Sequence, residues 1–225
     1  ELILAIVLAP IMAKTPWLIE FLYPTGLARW AHLFLVKISS KKGRDKYHSR
    51  TLEQRIEVVP SAIYIHPISQ LMDNLAYLIV SCHGDGGPLV GMLVDCGDAK
   101  ECIEQLDLIR ERHYGNRELQ IHAVLCTHKH HDHTAGNAGL VEKYADTLTK
   151  VYGAVAERVP LANHFVSNKD MLQLPKIDGN DMNDFISMEV ICVPGHTRGS
   201  VAFALRPQNA PHRASFLFTG DTMFS

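Results

Sequence analysis

Between Thr127 and Asn137 the chain reads THKHHDHTAGN, so His128, His130, Asp132 and His133, four side chains able to ligate a metal, fall within six residues. Imidazole nitrogens with a carboxylate oxygen suit zinc and its borderline neighbours, whereas calcium or magnesium would take oxygen ligands almost alone. His128 and His130 are two apart and project to the same side of an extended stretch, where they can grip one ion. Asp132 and His133 follow where the chain turns toward a helix expected to begin near Thr134, and can face a second ion. A carboxylate there also suits the helix N-terminus electrostatically. A solvated polar turn does not account for four candidate ligands in this order directly after an apolar strand. His131, the remaining histidine of the run, carries no such argument and is expected to be exposed, or to support a ligand from behind.

Ligands of this kind need strand ends to hold them. Ile121–Cys126 (IHAVLC) is short, apolar and bounded by polar residues, the pattern of a buried strand that delivers the loop at its C-terminal end. The same grammar recurs twice. Met188–Val193 runs into Pro194, Gly195 and His196, which would complete the first ion's set; Phe216–Phe218 runs into Thr219, Gly220 and Asp221, which could bridge two ions. Alone, a His after Pro-Gly or an Asp after Gly is an ordinary turn residue; their order after the cluster raises them. Further strands are expected at Ile56–Ile65, Leu75–Cys82 and Leu89–Asp95, and helices at Lys100–Arg112 and Ala135–Tyr144. Short turns between the early strands predict antiparallel hairpins followed by αβ units. Asp95, at a strand end before Gly97, either orients a ligand histidine or serves an ordinary turn. Cys126 beside the loop could be taken for a nucleophile, but its place at a strand end favours packing.

The chain resembles the metallo-β-lactamase-fold superfamily, whose metal-binding motifs are matched in order by His128, His130, Asp132, His133, His196 and Asp221. Within it the chain most resembles glyoxalase II, the hydroxyacylglutathione hydrolase family. The likeness rests on DNLAYLIV (Asp73–Val80), LVDCGDA (Leu93–Ala99), CTHKHHDHTAGN (Cys126–Asn137), VYGAVAERVP (Val151–Pro160), VPGHTRGS (Val193–Ser200) and FTGDTMF (Phe218–Phe224). It implies an α+β fold, the αββα sandwich of two facing sheets with helices outside and metals at one edge, here incomplete at the C-terminus. The binuclear relatives complete their second site with a further histidine well downstream of the Asp221 position. The sequence ends at Ser225 and begins at Glu1, so a fragment or processed product, truncated at both ends, is expected.

The same likeness implies two divalent ions, zinc first, with iron or manganese as alternatives. Such ions lower the pKa of bound water from about 15.7 to about 7, so metal-bound hydroxide can attack an acyl carbonyl without a Ser or Cys nucleophile. Asp132 and Asp221 are the candidate catalytic groups, holding and accepting protons. The implied substrate is a small-molecule thioester, a glutathione conjugate of the S-hydroxyacylglutathione type, whose thiolate leaves with little acid assistance. Two other readings stand beside it. One is a persulfide dioxygenase of the same fold with a single iron on His128, His196 and Asp221; the other is a non-catalytic, membrane-tethered member.

At 225 residues and 47% hydrophobic content the chain can bury one sizeable domain with an appendage. Its formal charge of -2 conceals an asymmetry: residues 1–50 carry eight Lys or Arg against three Asp or Glu, and the remainder carries 14 against 21. An acidic catalytic part, residues 51–225, excludes the basic footprint of a nucleic-acid binder. Residues 1–50 form three apolar runs followed by a basic stretch, expected as a membrane-proximal anchor or as packed helices, although Lys14, Pro16, Glu20 and Pro24 interrupt every window of about 20 apolar residues. Five cysteines without a C-x-x-C pair predict buried reduced thiols and an intracellular, reducing compartment.

Overall fold

A computed structural model describes residues 51–223 except 72, 83–85, 178–179 and 209–215. The expected anchor or packed segment at 1–50 lies outside the described residues. Among those described, no helix is long and apolar enough to cross a membrane.

The first sheet has seven strands in chain order: β1 (Ile56–Val59), β2 (Ile63–Gln70), β3 (Asn74–Ser81), β4 (Leu89–Val94), β5 (Leu119–Leu125), β6 (Lys150–Ala154) and β7 (His164–Val166). Neighbours from β1 to β4 are antiparallel and those from β4 to β7 parallel. The hairpins-then-αβ expectation therefore holds. A small hairpin, β8 (Lys176–Ile177) with β9 (Asn180–Asp181), precedes the second sheet, whose antiparallel strands are β10 (Ile186–Cys192), β11 (Val201–Pro207) and β12 (Phe216–Phe218).

Two apolar layers follow from strand alternation. Val90, Met92 and Val94 of β4 face the second sheet, where they join Met188, Val190, Val201 and Phe203 in one buried cluster. Leu89 and Leu93 point the other way, toward Cys102, Leu106 and Ile109 of helix α1 (Ala99–Tyr114). The layer order among the described residues is helix, sheet, sheet, an α+β sandwich. Helix α1 starts where Asp98 accepts a hydrogen bond from the Glu101 N–H (2.9 Å) and stops at Gly115, whose φ of 57° is the left-handed cap that glycine adopts cheaply.

Three expectations are corrected. The strand expected over Ile56–Ile65 is two, because Pro60, which has no N–H to give a ladder, opens a turn closed by the Ala62 N–H on the Val59 carbonyl (3.1 Å). The helix expected over Ala135–Tyr144 is shortened to α3 (Asn137–Lys143), and a separate short helix, α2 (His131–Thr134), precedes it. Gly136 sits between them against the end of β4, donating to the Cys96 carbonyl (2.9 Å); a Cβ there would stand 2.9 Å from the Ala99 nitrogen. Finally, β5 carries a bulge: Gly91 pairs with Ile121 but Met92 with Ala123, leaving His122 over. That extra residue turns Ala123 and Leu125 to the inter-sheet core and Val124 and Cys126 to the helix side, and so sets which way the following loop departs.

Candidate metal centre

The ligand loop is fixed from behind by one carboxylate. Asp95 follows β4 in a left-handed conformation (φ 56°), unusual for a residue with a Cβ. Its buried side chain accepts from the Thr127 N–H (2.8 Å) and the Thr127 hydroxyl (2.9 Å), and lies 2.9 Å from His133 Nδ1. Because the Thr127 hydroxyl gives its proton to Asp95, it accepts from His128 Nδ1 at 3.0 Å. Both histidines are thereby held with Nδ1 protonated and Nε2 turned to the site. Of the two roles open to Asp95, orienting the ligands is the one its contacts describe.

The first group comprises His128, His130, His196 and Asp221, whose ligand atoms lie within 4.8 Å of one another. Ring centroids of the three histidines are 4.6 to 4.8 Å apart. His196 Nε2 stands 2.8 Å from His130 Nδ1 and 3.4 Å from Asp221 Oδ2, which is 3.9 Å from His128 Nε2. The second group is Asp132, His133 and Asp221. Here His133 Nε2 is 3.0 Å from Asp221 Oδ1 and 3.6 Å from Asp132 Oδ2. Asp221 thus turns one oxygen to each group, as a bridge would. Gly220 (φ 50°) brings it there; a Cβ at Gly220 would stand 2.8 Å from Thr127 Cβ.

His128 is the test of fit for an ion. Its Nε2 is buried and has no hydrogen-bond partner, a state that buried polar atoms avoid, while three other metal-ligand side chains converge on it. Burial, reinforced by His133, pulls the His128 pKa down to about 4, and burial with His196 lowers that of His130. Both rings are therefore neutral near pH 7, with lone pairs free to donate. Burial also pulls on His133, but Asp95 and Asp221 outweigh it and push its pKa up to about 11. The hydrogen bond from His133 lowers the pKa of Asp221. Asp132 is raised by burial but lowered more by His133 and Asn74. The chemistry of the donors fits divalent metal binding.

All six sequence-predicted ligands are brought together. Of the two places expected for His131, exposed or behind a ligand, the first is excluded: it is buried, with its Nδ1 3.9 Å from Asp132 Oδ1. The sequence reading missed Asn74. Opening β3, its side-chain amide donates to the Asp132 carbonyl and to Asp132 Oδ2, both at 3.1 Å. Its signal was a carboxamide just ahead of the alternating strand LAYLIV. Cys126 accepts from Asn137 (3.4 Å), and burial pushes its thiol far up, as a packing residue.

Residues 72–225 match the sequence family described as the Metallo-beta-lactamase superfamily. The chain belongs to this superfamily. It is similar to hydroxyacylglutathione hydrolases of Nitrosomonas eutropha (29% identical, 72% of this chain and 51% of that protein) and Methylobacillus flagellatus (35% identical, 71% and 51%). The chain thus spans about half the length of these curated relatives. In fold it resembles a crystal structure of a metallo-beta-lactamase from Staphylococcus aureus, with a TM-score of 0.52 at 23% identity over 72% of this chain and 44% of that one. The six clustered side chains all fall within the matched residues.

Proposed function

We propose that this chain carries the metal centre of a hydrolase that cleaves an acyl bond, most specifically a small-molecule thioester of the S-hydroxyacylglutathione type. The observation that carries the reading is the orphaned, buried Nε2 of His128 facing His130, His196 and Asp221; the substrate class is taken from the similar hydroxyacylglutathione hydrolases. Zinc suits the donor set best, with iron or manganese as alternatives. Bound there, two divalent ions would supply Lewis acidity that makes water a nucleophile at neutral pH and stabilises an oxyanion. The chain's own residues do the rest. His128, His130 and His196 would hold the first ion, Asp132 and His133 the second, and Asp221 would touch both. Asp132, anchored by Asn74, and Asp221 are the carboxylates placed to hold and pass a proton. Cys126, beside the ligand loop, takes no part, since it is sealed in the core.

His130 Nδ1 at 2.8 Å from His196 Nε2 favours a three-histidine site over the iron set of His128, His196 and Asp221. The five unpaired cysteines fit a reducing compartment. The test is metal content per chain alongside thioester turnover and oxygen uptake, on a full-length form. Two divalent ions with thioester cleavage are expected, and Asp221→Ala should empty both positions and abolish turnover. One iron with oxygen uptake and no cleavage would reject the proposal.

A further inference from the structure

The segment VYGAVAERVP lies between the two histidine loops in sequence, and the metal reading gives it no part. Its Glu157 follows β6 in a turn closed by its own N–H on the Ala154 carbonyl (2.9 Å). The residue is only 4% exposed, and a carboxylate so buried requires charged or hydrogen-bonding partners. It has them on two sides. The Gly199 N–H donates to Oε1 at 2.8 Å, and the Lys129 ammonium stands 3.6 Å from Oε2, an oxygen with no hydrogen-bond partner. Lys129 separates His128 from His130, and Gly199 follows His196 by three residues. The approach is so close that a Cβ at Gly199 would overlap Glu157 Cγ.

We propose that Glu157 is a positioning residue that clasps the two ligand loops and sets where His196 stands relative to His128 and His130. The backbone offers little else for this: the Val201 N–H on the Thr127 carbonyl (2.9 Å) joins the loops at their base, five residues beyond His196. Thr197 and Ser200 hydrogen-bond to each other within their own loop, and the Thr197 side chain is a further hydrogen-bonding partner of Glu157, so that loop meets the carboxylate at both Thr197 and Gly199. The second group stands outside the clasp, because Asp132 and His133 are held by Asn74 and Asp95. Loss of Glu157 should therefore act on the first ion's site and spare the second.

This inference rests on the metal reading, and cobalt(II) titration of the full chain, followed by visible absorption, separates the two. Glu157→Ala should weaken the first site about 10–100-fold, the range for residues that orient ligands, with the second unchanged. Glu157→Gln keeps the acceptor for Gly199 and should recover most of the loss. Placed in a His196→Ala background, either change should have no further effect, since the clasp acts through that ring. A protein whose Glu157→Ala form binds cobalt as before, or loses the same affinity with His196 already removed, overturns the inference. If Glu157→Ala does not fold, Gly199→Ala, whose Cβ would displace the Glu157 side chain, takes its place: unchanged cobalt affinity at the first site, or the same loss with His196 already removed, overturns the inference. Failure of the unaltered chain to bind any cobalt would instead overturn the metal reading, and this inference with it.

Discussion

Two histidines of the first sheet share every feature commonly taken as a mark of function except one. His66, in β2, and His128, just past β5, are both buried, and burial is the main cause that draws the pKa of each to about 4. At His66, Nδ1 lies 3.1 Å from the Gln54 carbonyl and Nε2 lies 2.8 Å from the Tyr114 hydroxyl, with the His113 ring 5.0 Å away. At His128 only Nδ1 is used; Nε2 faces three other ligand side chains with nothing to bond. Burial and a depressed pKa therefore do not distinguish a tie between elements from a metal ligand. The unsatisfied nitrogen does, because leaving it so is costly unless something else comes to it.

Removing each ring should separate the two histidines most directly. His128→Ala should lose metal affinity by more than the 10–100-fold expected for an orienting residue, with turnover following, while the metal-free fold melts near its original temperature. His66→Ala should leave two polar partners unmet and cost about 2–4 kcal/mol of stability, with metal affinity nearly unchanged. Calorimetric melting of metal-free protein together with metal titration reads both. If the two substitutions trade effects, the assignment is wrong.

Stability against pH should show a smaller difference. Folded His66 titrates near 4, while the unfolded chain takes up that proton near 6.5. Between these values the unfolded state binds more protons, so stability falls as pH drops, by at most about 1.4 kcal/mol per unit and about 3 kcal/mol in all. Denaturant melts of metal-free protein from pH 7 to 4 should show this slope added to a similar one from His128, and His66→Gln should remove the His66 part. Parallel curves for the two proteins would remove His66 from the account.

What could be read from residues alone divides along the same line. His128, His130, Asp132 and His133 were legible because their relation is local, and His196 and Asp221 because each follows an apolar strand in a fixed order. The three corrected elements were not legible, since each break depends on a long-range contact or on backbone detail: Gly136 against the end of β4, the extra residue at His122, and the turn after Pro60. For Asp95 the sequence left two roles open, orienting a ligand histidine or an ordinary turn, because its work is done on Thr127 and His133, 32 and 38 positions away. His66 gave no signal, as its partners belong to α1 and to the segment before β1.

Asp95 is also where the two groups can be perturbed together. Asp95→Asn keeps the shape but replaces an acceptor by a donor beside Thr127 or His133, so one histidine loses its fixed tautomer. A fall of about 10–100-fold in metal affinity is expected, and crossing the change with His128→Ala shows how much of it passes through Thr127. Equal affinity for the Asn variant and the parent would mean that the ligands hold themselves.

Asn74 should give the smallest effect, and a selective one. Its amide donates to Asp132 twice, once to the backbone carbonyl and once to the carboxylate, and lies 3.4 Å from His133 Nε2. No ligand of the first group touches it. Asn74→Ala would free the Asp132 carboxylate to rotate while the residue's position in α2 persists, because α2 is also closed by the Ala135 N–H on the His131 carbonyl (2.7 Å). One neutral and one charge-assisted hydrogen bond are worth about 2–4.5 kcal/mol together, and only the part spent on aiming the carboxylate reaches the metal. A loss of about threefold to tenfold at the second site, with the first site unmoved, is therefore expected in a two-site titration. Equal losses at both sites would show that Asp221 transmits the disturbance, and the two groups would then have to be treated as one.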